Sequence, residues 1–270
     1  MKLYKHGLCL HITEMKIGIN SGAKCEIFVI LFQQLKQFAE HVNIMFDTNG
    51  LFIQGMDPSH IIIFELRLPS TWFSFYEVTE SITIGINTII ISKVLNVHDK
   101  SQSMEISTGD KDVLTIQYLN SSNKLVFDKL LEVPLLDIEY DLMEIPEMEY
   151  QAEFSLDSST FATLINQMKQ FSDNMTITCS EEKIHLSSHS EEKGKMMTNI
   201  PIDDLHEFAI EEDKTLEMTF AIKYIYDVTT YQKICKQISI CVSENSPIKM
   251  MYEIDENAHM VFFMAPRIDD

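Results

Sequence analysis

The chain has 270 residues and a net charge of −20, and 45% of its residues are hydrophobic. This composition predicts a folded protein and argues against an intrinsically disordered one, which lacks the apolar residues to build a core. It also argues against a protein that binds nucleic acid through its overall charge, although an acidic protein with one basic inner face stays compatible with these numbers.

Cysteine usage and apolar runs indicate the compartment. The five cysteines show no CxxC spacing and do not form a disulfide framework, so we expect a reducing environment. The N-terminal apolar run is too short for a signal peptide, and no uncharged apolar run approaches the ~20 residues that cross a membrane. The sequence thus predicts a soluble, intracellular protein with no membrane partner.

The first half contains two helix patterns among many strand patterns. After about ten loose residues, Ile12–Ile19 predicts a strand, and Glu26–Glu40 predicts an amphipathic helix with apolar residues three and four apart. Asn87–Val97 predicts a second helix, and Asn49-Gly50 predicts a hairpin turn. The other predicted strands are Asn43–Phe46, Leu51–Gln54, Ile61–Leu68, Ile82–Ile86, Met104–Ser107, Val113–Leu119 and Lys124–Val133.

The second half has the same order of elements. Its predicted helices are Ser158–Ser172, with Ser158 as the N-cap, and Ala221–Ile234. Its predicted strands are Tyr150–Leu156, Met175–Cys179, Ile184–Ser188, Lys195–Ile200, Leu216–Phe220, Ile238–Val242, Ile248–Ile254 and Met260–Phe263.

The two halves also match at individual amino acids. Leu35-Lys36-Gln37-Phe38 corresponds to Met168-Lys169-Gln170-Phe171, 133 residues later, and Phe28 corresponds to Phe161 at the same spacing. A matching element order at a constant spacing indicates an internal repeat. We therefore predict two α+β domains of one fold, each an antiparallel sheet that backs two helices.

A connector joins the predicted domains. Leu130–Tyr150 contains two prolines, which prevent a continuous helix, and it mixes acidic with large apolar residues without any Lys or Arg. Such a segment is expected to lie along a surface and not to act as a free linker. We place the N-terminal domain at 1–128, the connector at 129–149 and the C-terminal domain at 150–270.

Two strands are candidates for exposed sheet edges, Lys124–Val133 in the first half and Lys195–Ile200 in the second. An unpaired edge invites pairing with another chain. If the edge of one half pairs with the edge of the other half on a neighbour, the contact is head-to-tail. Such a contact either closes into a ring or continues as a filament.

Several ordered motifs point to one family. They are Gln54–His60, Gly85–Asn87 with Ser92–Leu95, Ile145–Tyr150, Phe220–Tyr224 and His259–Asp269. In these stretches the chain resembles the proliferating cell nuclear antigen (PCNA) family, the sliding clamps of eukaryotic DNA replication, and the resemblance covers residues 12–270.

The resemblance implies a non-enzymatic DNA sliding clamp without a cofactor, a processivity factor in replication and repair. It implies a closed homotrimer in which helices line a central hole around double-stranded DNA. It also implies partners: a DNA polymerase, a clamp loader, and proteins whose short PCNA-interacting peptide motifs dock beside the connector. The implied location is the nucleus, or the viral replication site if a virus encodes the protein.

The resemblance also implies three sets of site residues. The DNA-facing set is Lys36, Lys93, Lys169, Lys223 and Lys233. The peptide-docking groove is Met56, His60, Ile61, Ile63, Met143, Ile145, Pro247, Phe263, Ala265 and Pro266. The subunit interface includes Val126, Leu131, Met196 and Thr198.

Five positions depart from the family pattern, and one of them is Pro58, which stands in the Gln54–His60 motif where the family usually has Ser. Thr163, Asn166 and Thr230 stand where the family usually has Arg or Lys, so we expect weak, salt-dependent contact with DNA and no base preference. Glu181 stands where the family has a ubiquitin-accepting lysine. We therefore do not carry that regulation over.

Two other functions stay open. One is a clamp-like viral processivity factor that works as a monomer or dimer. The other is a metal-dependent nuclease built on acidic turns at Asp110 and Asp112, or at Asp203 and Asp204, although a solvated turn is the simpler interpretation in so acidic a chain. His6, Cys9 and His11 do not form a zinc motif, and the sequence has no P-loop, HExxH or GxSxG motif.

Overall fold

The computed structural model describes residues 15–109, 112–120, 125–139 and 141–267. Within these residues the chain forms eighteen strands and four α-helices, nine strands and two helices from each half. The order of elements is the same in both halves, which confirms the predicted repeat. Among the helices of the described residues, none is long and apolar enough to cross a membrane.

The elements of the first half are β1 (Met15–Ile19), α1 (Gly22–Leu35), β2 (His41–Phe46), β3 (Gly50–Met56), β4 (Ile62–Pro69), β5 (Phe75–Val78), β6 (Ile82–Asn87), α2 (Thr88–Leu95), β7 (Gln102–Thr108), β8 (Val113–Asn120) and β9 (Lys129–Pro134).

The elements of the second half are β10 (Ala152–Asp157), α3 (Ser158–Met168), β11 (Asn174–Cys179), β12 (Lys183–Ser190), β13 (Gly194–Pro201), β14 (Glu207–Ile210), β15 (Leu216–Ala221), α4 (Ile222–Thr229), β16 (Gln237–Val242), β17 (Ile248–Asp255) and β18 (Ala258–Met264).

The strands form three antiparallel sheets. A five-stranded sheet has the order β5-β1-β7-β8-β9, and a four-stranded sheet has the order β13-β12-β11-β15. The third sheet has nine strands in the order β14-β10-β16-β17-β18-β4-β3-β2-β6. It crosses from one half to the other where β18 pairs with β4, so the two halves share one continuous sheet.

All four helices differ from the prediction at their ends, and both α2 (Thr88–Leu95) and α3 (Ser158–Met168) are shorter than predicted. The helix predicted over Glu26–Glu40 begins at Gly22, because the Ser21 hydroxyl accepts a hydrogen bond from the backbone of Lys24 and caps the helix. It ends at Leu35. The helix predicted over Ala221–Ile234 ends at Thr229 and continues as a 3₁₀ turn over 230–233. In α3 the capping side chain is Asp157, not Ser158.

Other differences concern short or terminal segments. The prediction missed β5 and β14, and the strand predicted over Lys124–Val133 begins only at Lys129 in the described residues. Residues 12–14, His6, Cys9, His11, Asp110, Lys124 and the final motif residues Ile268 and Asp269 lie outside the described residues.

An aromatic cluster lies behind the β4–β18 pairing. Phe64 and Phe262 are register partners on these strands. The ring of Phe38, just after α1, lies 5.0 Å from Phe262, and the ring of Tyr231, just after α4, lies 5.3 Å from Phe262. Tyr231 is fully buried and its hydroxyl donates to the Leu31 carbonyl at 3.4 Å. We call the β4–β18 pairing and this cluster the internal joint.

Truncation at the internal joint is expected to destabilise the whole chain. Phe262→Ala removes a fully buried ring that contacts residues of both halves, so we expect the free energy of unfolding to fall by about 3–5 kcal/mol. Urea denaturation followed by circular dichroism measures this change. Ile90→Ala, at a residue 39% exposed on α2, is the control, and an equal loss in both variants would contradict the role of the joint.

Candidate functional surfaces

Strand register places part of the predicted groove in one row. Met56 on β3 lies opposite Ile63 on β4, Ile63 lies opposite Phe263 on β18, and Phe263 lies opposite Lys249 on β17. Side chains in register on neighbouring strands point to the same face and touch. The structure thus brings together three predicted groove residues and adds Lys249, which the prediction did not include.

The remaining groove residues surround this row at the surface. Ile61 accepts a hydrogen bond from the Ala265 backbone N–H at 3.1 Å, which ties the tail after β18 to the turn before β4. His60 is exposed in that turn with φ of 59°. Pro247 and Pro266 are half-buried, and the ten predicted groove residues are all at least partly exposed. None of them belongs to the fully buried core.

The connector is fixed over the groove by one glutamine. The Gln54 side chain accepts a hydrogen bond from the Met143 N–H at 2.8 Å and donates one to the Met143 carbonyl at 2.9 Å. It also donates to Glu65 at 3.0 Å. Gln54 is 3% exposed, so these bonds form away from solvent and hold Met143 beside β3.

Upstream of Met143 the connector crosses the outer strands of the first half. The Leu136 N–H donates to the Gly85 carbonyl at 2.8 Å on β6, and Asn43 on β2 donates to the Ile138 carbonyl at 3.2 Å. A side chain at Gly85 would place its Cβ 2.4 Å from the Leu136 carbonyl oxygen. A glycine is therefore required at Gly85 for this close approach.

A cavity of about 580 Å³ lies between the connector and the sheet. Met143, Ile145 and Phe263 line it, whereas the other seven predicted groove residues do not. Its further lining is Phe52, Gln54, Glu65, Arg67, Leu142, Pro146, Glu147, Met148, Tyr150 and Lys249. The two-residue alternation along β3 and β4 could have indicated Phe52, Gln54, Glu65 and Arg67, which share a face with Met56 and Ile63.

Helix α1 packs against α2 and α3 against α4, and the 3₁₀ turn over 230–233 contacts both α1 and α3, so the helices form one layer. The five predicted DNA-facing lysines lie on this layer or at its helix ends. Lys93 is on α2, Lys223 on α4, and Lys36 and Lys169 follow the last residues of α1 and α3, while Lys233 lies in the 3₁₀ turn. All five are exposed. In the described part of the chain, no carboxylate lies within ion-pair distance of them.

Two of these lysines are not isolated charges. The Lys169 ammonium lies 3.3 Å from the centroid of the Tyr226 ring, a cation–π contact. Burial raises the pKa of the neighbouring Asp227 carboxyl, and the positive charges of Lys223 and Lys169 partly offset that rise. Lys36, Lys93 and Lys233 are therefore the lysines of the helix layer for which neither a close ring contact nor a nearby buried carboxyl is described.

The predicted edges are edges in the structure. β9 ends the five-stranded sheet and β13 ends the four-stranded sheet. The predicted interface residues Val126, Leu131, Met196 and Thr198 are half-buried. Large apolar side chains that the prediction missed are exposed on or beside the two edges: Leu125 (85%), Phe127 (75%), Leu130 (60%) and Met197 (55%).

Among the residues that the structure describes, the acidic turns do not form a cluster of metal ligands, and Asp110 lies outside these residues. Asp203 and Asp204 lie exposed in a short 3₁₀ turn, and Asp112 is exposed before β8. Across the residues that the structure describes, no three His, Cys, Asp or Glu side chains are grouped so that they could hold a metal ion.

The repeated domains, the helix layer and the connector over an outer groove define the class of two-domain DNA clamps. Family models confirm it: the N-terminal domain of proliferating cell nuclear antigen matches residues 21–142, and the C-terminal domain matches residues 144–267. The chain belongs to the PCNA family, whose members are DNA sliding clamps.

Curated relatives agree with this assignment. Proliferating cell nuclear antigen 2 of Drosophila melanogaster is 25% identical over 223 residues, 82% of this chain and 86% of the relative. Proliferating cell nuclear antigen 2 of Plasmodium falciparum (isolate 3D7) is 25% identical over 259 residues, 91% of this chain and 97% of the relative.

Removal of the glutamine contact is expected to loosen the connector. Gln54→Met keeps the side-chain length but loses the hydrogen bonds to Met143, so the Met143 amide should exchange its hydrogen about tenfold faster, the equivalent of one or two net hydrogen bonds. Native-state hydrogen exchange measures this rate. Gln33→Met, which removes an exposed hydrogen bond from α1 to Asn96 just after α2, is the matched control. An unchanged exchange rate of the Met143 amide in Gln54→Met would contradict the role of the glutamine contact.

Proposed function

We propose that this protein is a DNA sliding clamp that closes as a homotrimeric ring around duplex DNA. It tethers a DNA polymerase and other replication and repair proteins through short peptides, has a clamp loader among its partners, and has no catalytic activity of its own. Its place of action is the nucleus, or the replication site of a virus that encodes it. The domain limits 1–128, 129–149 and 150–270 are part of this proposal.

The main support for the proposed ring is the internal joint. In the repeat, β9 occupies the position of β18, and β13 occupies the position of β4: Leu131 pairs with Ile116 as Phe262 pairs with Met250. β18 and β4 pair with each other inside the chain, whereas β9 and β13 are edges. Each chain therefore contains one complete joint and the two halves of another, which a second copy can complete head-to-tail.

The internal joint also supplies the register of that second contact. Phe262 lies opposite Phe64, and Val261 lies opposite Glu65. The repeat equates these pairs with Leu131 opposite Met196 and Leu130 opposite Met197. Leu130 and Met197 are 60% and 55% exposed in the single chain, so this register covers two large apolar side chains at once.

The residues just after the helices can be matched between the two halves in the same way. Phe38 and Tyr231 pack behind the internal joint, and their repeat counterparts are Phe171 and Val97. Val97 is 41% exposed and Phe171 is half-buried in the single chain. In the ring these two would pack behind Leu131 and Met196 as the aromatic cluster packs inside the chain.

The mass in solution tests the ring. Light scattering coupled to size exclusion is expected to give three times 31.2 kDa. Phe127→Glu places a charge on a side chain 75% exposed beside β9 and is expected to lower this mass without unfolding the chain. Leu142→Glu, on the connector, is the control. A wild-type mass of one or two chains would favour the monomeric or dimeric clamp-like factor instead.

Cross-linking tests the register. In Leu130→Cys/Met197→Cys the two thiols face each other across the contact, and oxidation is expected to join chains covalently, since directly opposed Cβ atoms are ≈ 4.5–5.5 Å apart. The matched control is Leu130→Cys/Met196→Cys, because a shift of one residue places the thiols on opposite faces of the sheet. Equal cross-linking of both variants would contradict the register.

The helix layer supports the DNA-facing role. Five exposed lysines lie on it in a chain of net charge −20. Phosphate contact by a few lysines gives weak, sequence-independent affinity, and a ring that encircles DNA needs no more. On the C-terminal half of the layer, the Asp227 carboxyl interacts with the charges of Lys223 and Lys169, and the Tyr226 contact holds the Lys169 ammonium against the protein. Both effects weaken phosphate contact there.

The salt dependence of DNA binding tests this role. Lys93→Ala is expected to lower the slope of log affinity against log salt by about 0.9, the value for one lost phosphate contact, and Lys169→Ala by less. Fluorescence anisotropy with a short duplex measures both. Lys183→Ala, at the start of β12, is the control. A preference for one duplex sequence, or the same loss of slope in the control, would contradict the proposal.

The groove supports peptide docking. Met56, Ile63 and Phe263 form an apolar row, with Met143 held beside it by Gln54. Flexible methionines suit a surface that accepts several partners. Exposed acids of the connector, Glu139, Asp141 and Glu144, would attract the basic flanks of docking peptides, and that attraction weakens with salt.

A further inference from the structure

The cavity under the connector contains two hydrogen-bond donors that the docking groove does not explain. Lys249 lines it, and in the described residues no carboxylate lies within ion-pair distance of the Lys249 ammonium. Tyr150 lines it as well, and its buried hydroxyl has no hydrogen-bond partner among the residues that the structure describes. Burial raises the pKa of Tyr150 to about 12, so the hydroxyl remains a donor at neutral pH.

The other cation of the cavity is already occupied. The Arg67 guanidinium lies 4.1 Å from the centroid of the Phe52 ring and 3.8 Å from the Glu65 carboxylate. Glu65 in turn accepts a hydrogen bond from Gln54. These contacts hold Arg67 in the wall of the cavity. In the described part of the chain, Lys249 is therefore the cation of the cavity that lacks an ion-pair partner.

Lys249 and Tyr150 lie close to each other and to the apolar row. The Lys249 ammonium is 6.0 Å from the centroid of the Tyr150 ring. Lys249 is the register partner of Phe263, which is the partner of Ile63. Neighbouring strands are ≈ 4.8 Å apart, so Lys249 lies about 10 Å from Ile63 across the sheet.

We propose that this cavity binds an acidic side chain of the docking peptide, with the Lys249 ammonium and the Tyr150 hydroxyl as donors to its carboxylate. The inference rests on the proposed docking function and names the chemistry of the partner. An extended peptide advances ≈ 3.3–3.6 Å per residue, so the acidic residue lies about three residues from the one that covers Ile63 and Phe263. A carboxylate accepts from both donors and also compensates the Lys249 charge, whereas a neutral side chain leaves that charge uncompensated.

A peptide panel tests the inference. The probe is a short labelled peptide with a pair of aromatic residues, whose large apolar rings suit the row of Met56, Ile63 and Phe263. It is prepared with Glu or with Gln at each position within about four residues of the pair, on either side. One Glu position is expected to bind the wild-type protein about tenfold more tightly than its Gln counterpart, since a hydrogen-bonded charge is worth more than a neutral one. Fluorescence anisotropy measures each affinity.

Variants separate this inference from docking itself. Lys249→Met is expected to abolish the preference for Glu while the Gln peptide keeps its affinity, Lys249→Arg to retain the preference, and Tyr150→Phe to reduce it. Lys183→Met is the control. Met143→Ala should weaken both peptides equally. Equal binding of Glu and Gln peptides at each position overturns the inference and leaves docking intact, whereas no binding of any peptide overturns docking and the inference together.

Discussion

The pairing of β18 with β4 is the contact on which the rest of the structure depends. It turns two repeated domains into one chain with a continuous nine-stranded sheet, and it places Phe64 and Phe262 where Phe38 and Tyr231 from the helix layer close over them. Aromatic rings bury the most apolar area per residue and favour tilted contacts. Without this joint, neither the groove on one side of the sheet nor the helix layer on the other would have a fixed shape.

The groove depends on the joint in a direct way. Its floor comes from both halves, since Met56 and Ile63 belong to the first and Phe263 and Lys249 to the second. Its wall is the connector, whose position depends on polar contacts with Gln54, Asn43 and Gly85. A buried glutamine in an apolar strand costs stability unless its amide is satisfied. Here the backbone of Met143 forms hydrogen bonds with that amide. The same contact therefore offsets the cost of burying Gln54 and fixes the connector beside the groove.

Much of the fold could be predicted from the sequence, because apolar periodicity reports burial. The stripe of Phe28, Leu31, Phe32 and Leu35 in α1 is buried as expected, and the matching order of elements predicted the repeat. Helix ends were harder, since α1 begins at Gly22, where Ser21 caps it, and not at the predicted Glu26. β5 and β14 have four residues each and lie at sheet edges, where weak alternation gives little signal.

The candidate site was less predictable for a similar reason. Motifs indicated Met56, Phe263 and the connector, but only register shows that Lys249 and Arg67 line the same cavity as Met143. The edge residues Leu130 and Met197 lie outside the sequence motifs that pointed to the family. Their exposure became visible once the sheets showed which strands lack a neighbour. Pairing between distant strands is a tertiary property that local sequence does not encode.

The joint within the chain and the contacts proposed between chains occupy equivalent places in the repeat but differ in side chains. The inner one has four aromatic rings and is also bridged by the covalent connector. The outer ones would rely on Leu131, Met196, Val97 and Phe171, which bury less apolar area. In such a ring, stronger joints within each chain would alternate with weaker contacts between chains. When such a ring must be parted to admit a DNA duplex, the break would fall between chains, and each subunit would remain folded on either side of the gap.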